Sequence, residues 1–175
     1  MALSRRSLLL AALAAAVLAA CGPSAALKEA RGARYQGTRD EVFLAVIQAM
    51  TAEKQVVDRT DPEQAALITR GRWFEKDGTY EDKALEDTAV LAEDGSIFLA
   101  FLVHVDGEAP PFRVVVEPSV DQVRSGYSAL YHIKPDDAQM PGWVTGKLEK
   151  LELGLHKRLK GKLVAAPVAT APAAQ

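Results

Sequence analysis

Few side chains in this sequence could do chemistry. Its 175 residues include one cysteine, Cys21, and three histidines, His104, His132 and His156. A thiol can serve as a nucleophile, a metal ligand, half of a disulfide or a site of acylation. A single cysteine leaves no internal disulfide and no cysteine metal cluster. The histidines show neither metal-pair spacing nor an HExxH helix, so no metal is expected. No serine sits in a Gly-x-Ser-x-Gly elbow, and Ser125-Gly126 lacks the strand-to-helix context. Glu117 with Asp121, and Asp136 with Asp137, could approach as acid–base pairs. Acids this close to prolines and turns are ordinarily solvated. No glycine-rich loop is built to cradle phosphate. These exclusions point away from an enzyme, and no cofactor is expected. His104, Glu117 and Asp121 are the residues a hydrolase reading would have to use.

Acylation is the chemistry that the surroundings of Cys21 favour. Arg5 and Arg6 precede an apolar run of 13 residues, Leu8 to Ala20, and small residues follow in Leu18-Ala19-Ala20-Cys21-Gly22. A charged start, an apolar stretch and small residues make a secretory signal. At about 1.5 Å per residue the run reaches roughly 20 Å as a helix, short of a hydrocarbon core of about 30 Å. The pattern resembles the lipobox of bacterial lipoproteins. That resemblance implies diacylglycerol on the Cys21 sulfur, cleavage just before it, and acylation of the new amino group. Each buried methylene contributes about 0.8 kcal/mol, so two or three chains hold where one is marginal. The resemblance also gives an address: Gly22 rather than aspartate after the cysteine favours the periplasmic face of the outer membrane over the inner membrane. Other readings of the same residues are an ordinary cleaved signal and an uncleaved N-terminal anchor. Ser4-Arg5-Arg6-Ser7-Leu8-Leu9 also resembles a twin-arginine export signal, which carries folded chains.

The chain divides into a signal at 1–20, a flexible tether at 21–33, a domain at 34–162 and an alanine- and proline-rich tail at 163–175, expected to be disordered. Loss of Arg5 and Arg6 with the signal takes the formal charge from −2 to −4. Mild acidity argues against nucleic acid as a partner.

Those chemical positions must be held by a small α+β fold. Thr38-Arg39-Asp40-Glu41 is a capping box. Val42, Phe43, Val46, Ile47 and Met50 recur on one face behind it, predicting a helix over 39–54. Tyr35 lies on a short strand before it, and Val56 and Val57 begin another after it. Asp77-Gly78, Asp94-Gly95 and Asp106-Gly107 are turn signals. Strands are predicted at 65–74, 86–93, 96–106, 111–118 and 126–133. The strand at 96–106 is apolar on both sides and so central, covered at least in part on both faces. Pro118 is expected to stop the 111–118 ladder. A second helix over 142–160 carries the stripe Val144, Leu148, Leu151, Leu155 and Leu159, with Lys157, Arg158 and Lys160 at its end and Gly161 as its C-cap. The expected architecture is a single domain: an antiparallel β-meander sheet packed against two α-helices.

This order, with Tyr35-Gln36-Gly37-Thr38-Arg39-Asp40-Glu41-Val42-Phe43 at its opening and a hairpin near Asp61–Ile68, resembles the helix-grip domains of lipoproteins in the outer-membrane protein assembly machinery (the C component of the barrel-assembly complex). The likeness would span about 33–161. It implies a non-enzymatic binding or scaffold domain that serves another envelope protein. Those lipoproteins carry a long N-terminal segment and two such domains, whereas this chain has room for one, so no partner-binding residue carries over.

Four aromatic residues are the candidate ligand or partner surface. Trp73, Phe74 and Tyr80 flank the Asp77-Gly78 turn and would form an aromatic tip if that hairpin protrudes; otherwise they steady it as cross-strand pairs. Trp143 opens the second helix. It would pack over the sheet, or, with Leu148, line a space for an apolar ligand between helix and sheet. Glu75, Asp77, Glu81, Asp82, Glu86 and Asp87 form an acidic stretch, read first as a solvated face. The basic end of the second helix is explained by its dipole, or would touch lipid phosphates.

Overall fold

The computed structural model describes residues 23–80 and 93–162. Cys21, the signal, the tail and nearly all of the strand expected at 86–93 lie outside the described residues. Among the described residues the fold is α+β in one domain: a six-stranded antiparallel sheet with three α-helices.

The first helix, α1 (Ala25–Gly32), corrects the expected tether at 21–33. Its sequence, Ala-Ala-Leu-Lys-Glu-Ala-Arg, is made of strong helix formers. The Ser24 hydroxyl caps it by accepting the Leu27 N–H at 3.2 Å. Leu27 is 1 % exposed, and Arg31 grips Glu152 of the C-terminal helix at 2.8 and 3.0 Å. Apolar burial and a forked ion pair hold this segment to the domain.

The capping box forms as expected. Thr38 Oγ1 accepts the Glu41 N–H at 3.2 Å, and Glu41 Oε2 accepts the Thr38 N–H at 2.8 Å. That second bond, with Lys162 nearby, holds the Glu41 carboxyl below its ordinary value. Helix α2 (Arg39–Ala52) buries Val42, Phe43, Val46, Ala49 and Met50.

Strands β1 (Val57–Asp61) and β2 (Ala66–Thr69) make a hairpin. Where one strand was expected over 65–74, β3 (Arg72–Phe74) follows after a break. Both β2 and β3 pair with the same edge of β4 (Ile97–Asp106), Ile68 opposite Leu102 and Arg72 opposite Leu99. Three residues, Thr69 to Gly71, therefore oppose two, Ala100 and Phe101: a β-bulge. Thr69 Oγ1 accepts the Phe101 N–H at 2.8 Å. Gly71 lies flat on Phe98, where a Cβ would stand 1.9 Å from the ring. The bulge shifts the alternation by one. Arg72 and Phe74 thus share the helix side with Leu67, and Trp73 turns to the opposite face.

Strand β5 (Arg113–Gln122) pairs with all of β4, and β6 (Tyr131–Ile133) closes the far edge. The order is β1-β2-β4-β5-β6. Pro118 does not end the ladder: it lies opposite Phe101. Phe101 gives its N–H to Thr69 on the other side, so Pro118 sits at a pair without hydrogen bonds. Its missing N–H faces the edge that β6, paired only from Val120 onward, does not reach. The strand expected over 126–133 is shorter. Ser125 instead gives its N–H to Asp94 Oδ1 at 2.6 Å, which draws that segment off the sheet and holds the Asp94 carboxyl below its ordinary value.

The last helix, α3 (Gly142–Leu159), buries Val144, Leu151, Leu155 and Leu159 against the sheet. Gly161 does not cap it. The chain tightens into a 3-10 turn over Lys160–Lys162, and the Lys162 carbonyl accepts the Gln36 N–H at 2.7 Å. One face of β4 is fully buried beneath the helices; on the other, Ala100 is buried, Phe98 is half-buried and Leu102 is 37 % exposed. No helix among the described residues is long and apolar enough to cross a membrane.

Candidate functional site

The four candidate aromatic residues do not act together. Trp73 packs on Phe98 across β4, with ring centroids 5.2 Å apart, on the face away from the helices. Phe74 meets Tyr80 at 5.7 Å and Trp143 at 5.1 Å. The hairpin that joins them does not protrude. Its turn closes with Glu75 N–H on Thr79 O and Gly78 N–H on Glu75 O, both 2.9 Å. Asp77 Oδ1 accepts the Thr79 N–H at 2.8 Å, which holds the Asp77 carboxyl below its ordinary value. The Trp143 indole covers Gly78, whose φ of +91° suits glycine, and its Nε1–H donates to Lys76 O at 3.1 Å. The first turn of α3 thus clamps the hairpin to the body of the domain.

Beside this clamp, between α3, the end of α2 and the β2–β3 bulge, lies an open cleft of about 270 Å³. Its floor is apolar: Phe74, Leu99, Phe101 and Leu151, each nearly buried. Its walls carry four cations, Arg70, Arg72, Lys147 and Lys150. The bulge puts Arg72 on this side, and the helical spacing of Lys147 and Lys150 puts both at the edge of the Leu151 stripe. Lys147 Nζ stands 4.6 Å from the Phe74 ring centroid and 5.8 Å from that of Trp143. The Arg72 guanidinium lies 5.5 Å from the Tyr80 ring. Glu53, the acid of the cleft, is engaged by Arg158 at 3.2 Å. Neither Lys147 nor Lys150 has a carboxylate within ion-pair distance among the described residues. Such a wall attracts anions, and such a floor takes hydrocarbon or an aromatic ring.

A second cleft of about 210 Å³ opens between α1, α3 and β5. Here the cations are matched: Arg31 with Glu152 at 2.8 Å, Arg113 with Asp106 at 3.4 Å. At its base the Tyr35 hydroxyl meets His156 Nδ1 at 3.2 Å, and burial pushes the Tyr35 hydroxyl pKa up to about 12. His156 is itself buried, because α1 covers it; Glu29 stands 3.6 Å from its Nε2. The middle of the space beneath α3 is occupied by the packed cluster of Val144, Leu151 and Leu155 with Phe101, Val103 and Val105. Room for a ligand lies at the flanks of the helix.

The other chemical candidates stay apart. Glu117 and Asp121 are four residues apart on β5, roughly 13 Å at the rise of a strand, so they form no acid–base pair. Asp121 instead meets His132 Nδ1 at 3.0 Å on the surface. Asp137 Oδ1 accepts the Gln139 N–H. His104, on β4, pairs with Ala66 and Val115 in the sheet. No group of three metal-ligating side chains gathers among the described residues. The four cations of the cleft escaped the sequence reading, which looked for basic function at the end of α3. Arg70 and Arg72 around Gly71, and Lys147 with Lys150 one turn apart, are a signal only once the bulge is known. Set against known proteins, the chain matches no protein-family model and no curated protein.

Proposed function

We propose that this chain is a bacterial envelope lipoprotein whose α+β domain is a non-enzymatic binding module. The observation that carries the reading is the cysteine after the apolar run, Leu18-Ala19-Ala20-Cys21-Gly22. Acyl groups on Cys21 supply the membrane anchor. Gly22 favours the periplasmic face of the outer membrane. The cap of α1, Ser24, comes three residues after Cys21, so no more than roughly 11 Å of extended chain separates them. The domain then rests against the lipid headgroups instead of ranging on a long leash. The cationic cleft is its binding site, and a scaffold role toward other envelope components in outer-membrane assembly fits the helix-grip likeness.

The apolar floor of the cleft favours a second reading, in which the domain carries or senses a ligand with an apolar part at the flank of α3. Cys21→Ala tests the common core of both readings. Cells fed labelled palmitate should label the parent protein and not the variant, and the variant should leave the membrane fraction. Equal labelling, or equal membrane association, would refute the anchor.

A further inference from the structure

We propose that the cleft between α3 and the β2–β3 bulge binds an organic anion with an apolar arm, a carboxylate or phosphate on a hydrocarbon chain. Lys147 and Lys150 hold its charged end. This deepens the reading of the domain as a binding module and rests on it.

Three observations converge on that chemistry. The first is unmatched charge. Lys147 and Lys150 have no carboxylate within ion-pair distance among the described residues, while Arg31 and Arg113 of the other cleft are both paired with acids. Among the described residues Glu53 is the only carboxylate lining the cleft, and Arg158 engages it. An anion entering here therefore displaces no ion pair of the two lysines with a described residue. The second is position. Lys147 is held over the rings of Phe74 and Trp143 and Arg72 over Tyr80, so both cations are drawn against the cleft wall. The third is the floor. Phe74, Leu99, Phe101 and Leu151 offer hydrocarbon directly beneath the charges, which a bare inorganic anion leaves uncovered. Charge above and hydrocarbon below select a molecule with both parts. A cleft of about 270 Å³ takes one such group.

Short-chain probes test this on the mature acylated protein in maltoside micelles, by isothermal titration. The probes are hexyl phosphate, hexanoate, inorganic phosphate and hexanol. At least one hexyl anion should bind tenfold or more tightly than both inorganic phosphate and hexanol, and should weaken with added salt. A preference for hexyl phosphate assigns the ligand to phosphate-headed lipids; a preference for hexanoate assigns it to fatty carboxylates. Lys150→Glu, on an exposed position, should weaken binding at least fivefold, and Lys147→Glu with Lys150→Glu more. Arg113→Glu, in the other cleft, should leave it unchanged. Inorganic phosphate or hexanol binding as well as the hexyl anions would overturn the proposal. So would unchanged affinity in a folded Lys150→Glu protein, or no binding of any probe. Palmitate labelling of the same preparation separates the two claims: labelled protein that binds nothing ends this one and leaves the anchor standing.

Discussion

The indole of Trp143 closes over Gly78: a Cβ built on that glycine would stand 2.8 Å from Trp143 Cγ. The contact joins the first turn of the C-terminal helix to the hairpin that carries Phe74 and Tyr80, and so sets one wall of the cationic cleft. Gly78→Ala meets two obstacles at once, a φ of +91° that a side chain disfavours and an aromatic ring with buried neighbours. The expected cost is about 2 kcal/mol, a fall in Tm of roughly 8 °C. Near-ultraviolet circular dichroism should lose part of its tryptophan signal. A variant as stable as the parent would show that the hairpin is not clamped.

Helix α1 is held by Leu27 more than by its ion pair. Leu27→Ala removes a side chain that is 1 % exposed, at an expected cost of about 2–3 kcal/mol. Arg31→Ala should cost under about 1 kcal/mol, since the arginine is 41 % exposed and its pair with Glu152 is solvated on one side. Hydrogen exchange checks this: amides of residues 25–32 should exchange much faster in Leu27→Ala, while those of β4 keep their protection. Slow exchange at α1 in that variant would contradict the account.

Tyr35 ties stability to alkaline pH. Its hydroxyl, ordinarily near 10, is pushed up to about 12 by burial. Below pH 10 the proton is bound in both folded and unfolded chains, and Tyr35 imposes no pH dependence. Above it the unfolded chain releases the proton and the folded chain keeps it, so stability drops as pH rises from 10 toward 12. Tyr35→Phe should flatten that decline in denaturant midpoints measured from pH 9 to 12. At neutral pH it should lose about 1 kcal/mol with the bond to His156 Nδ1. An unchanged alkaline slope would show that the hydroxyl is not what titrates.

Much of this fold was legible where local signals sufficed. The Thr38–Glu41 box fixed the start of α2, glycines after aspartate at 78, 95 and 107 take the positive φ that the turns need, and the two-sided apolar pattern of 97–105 marked the central strand. What escaped depends on distant partners. Residues 25–32 read as a leash because their one large apolar side chain, Leu27, has nothing to pack on until the C-terminal helix arrives. The bulge at Thr69–Gly71 answers to Phe98 and Phe101, some 30 residues away in sequence, and it alone decides that Phe74, and not Trp73, faces the helices. The cleft joins Arg70 and Arg72 with Lys147 and Lys150 across most of the domain, a grouping no window of sequence contains.

Mass spectrometry of the protein extracted from membranes decides whether Cys21 is the anchor. The N-terminal peptide is expected to begin at Cys21 and to carry diacylglycerol on its sulfur. A mature chain that begins elsewhere, or a Cys21 with a free thiol, would contradict it.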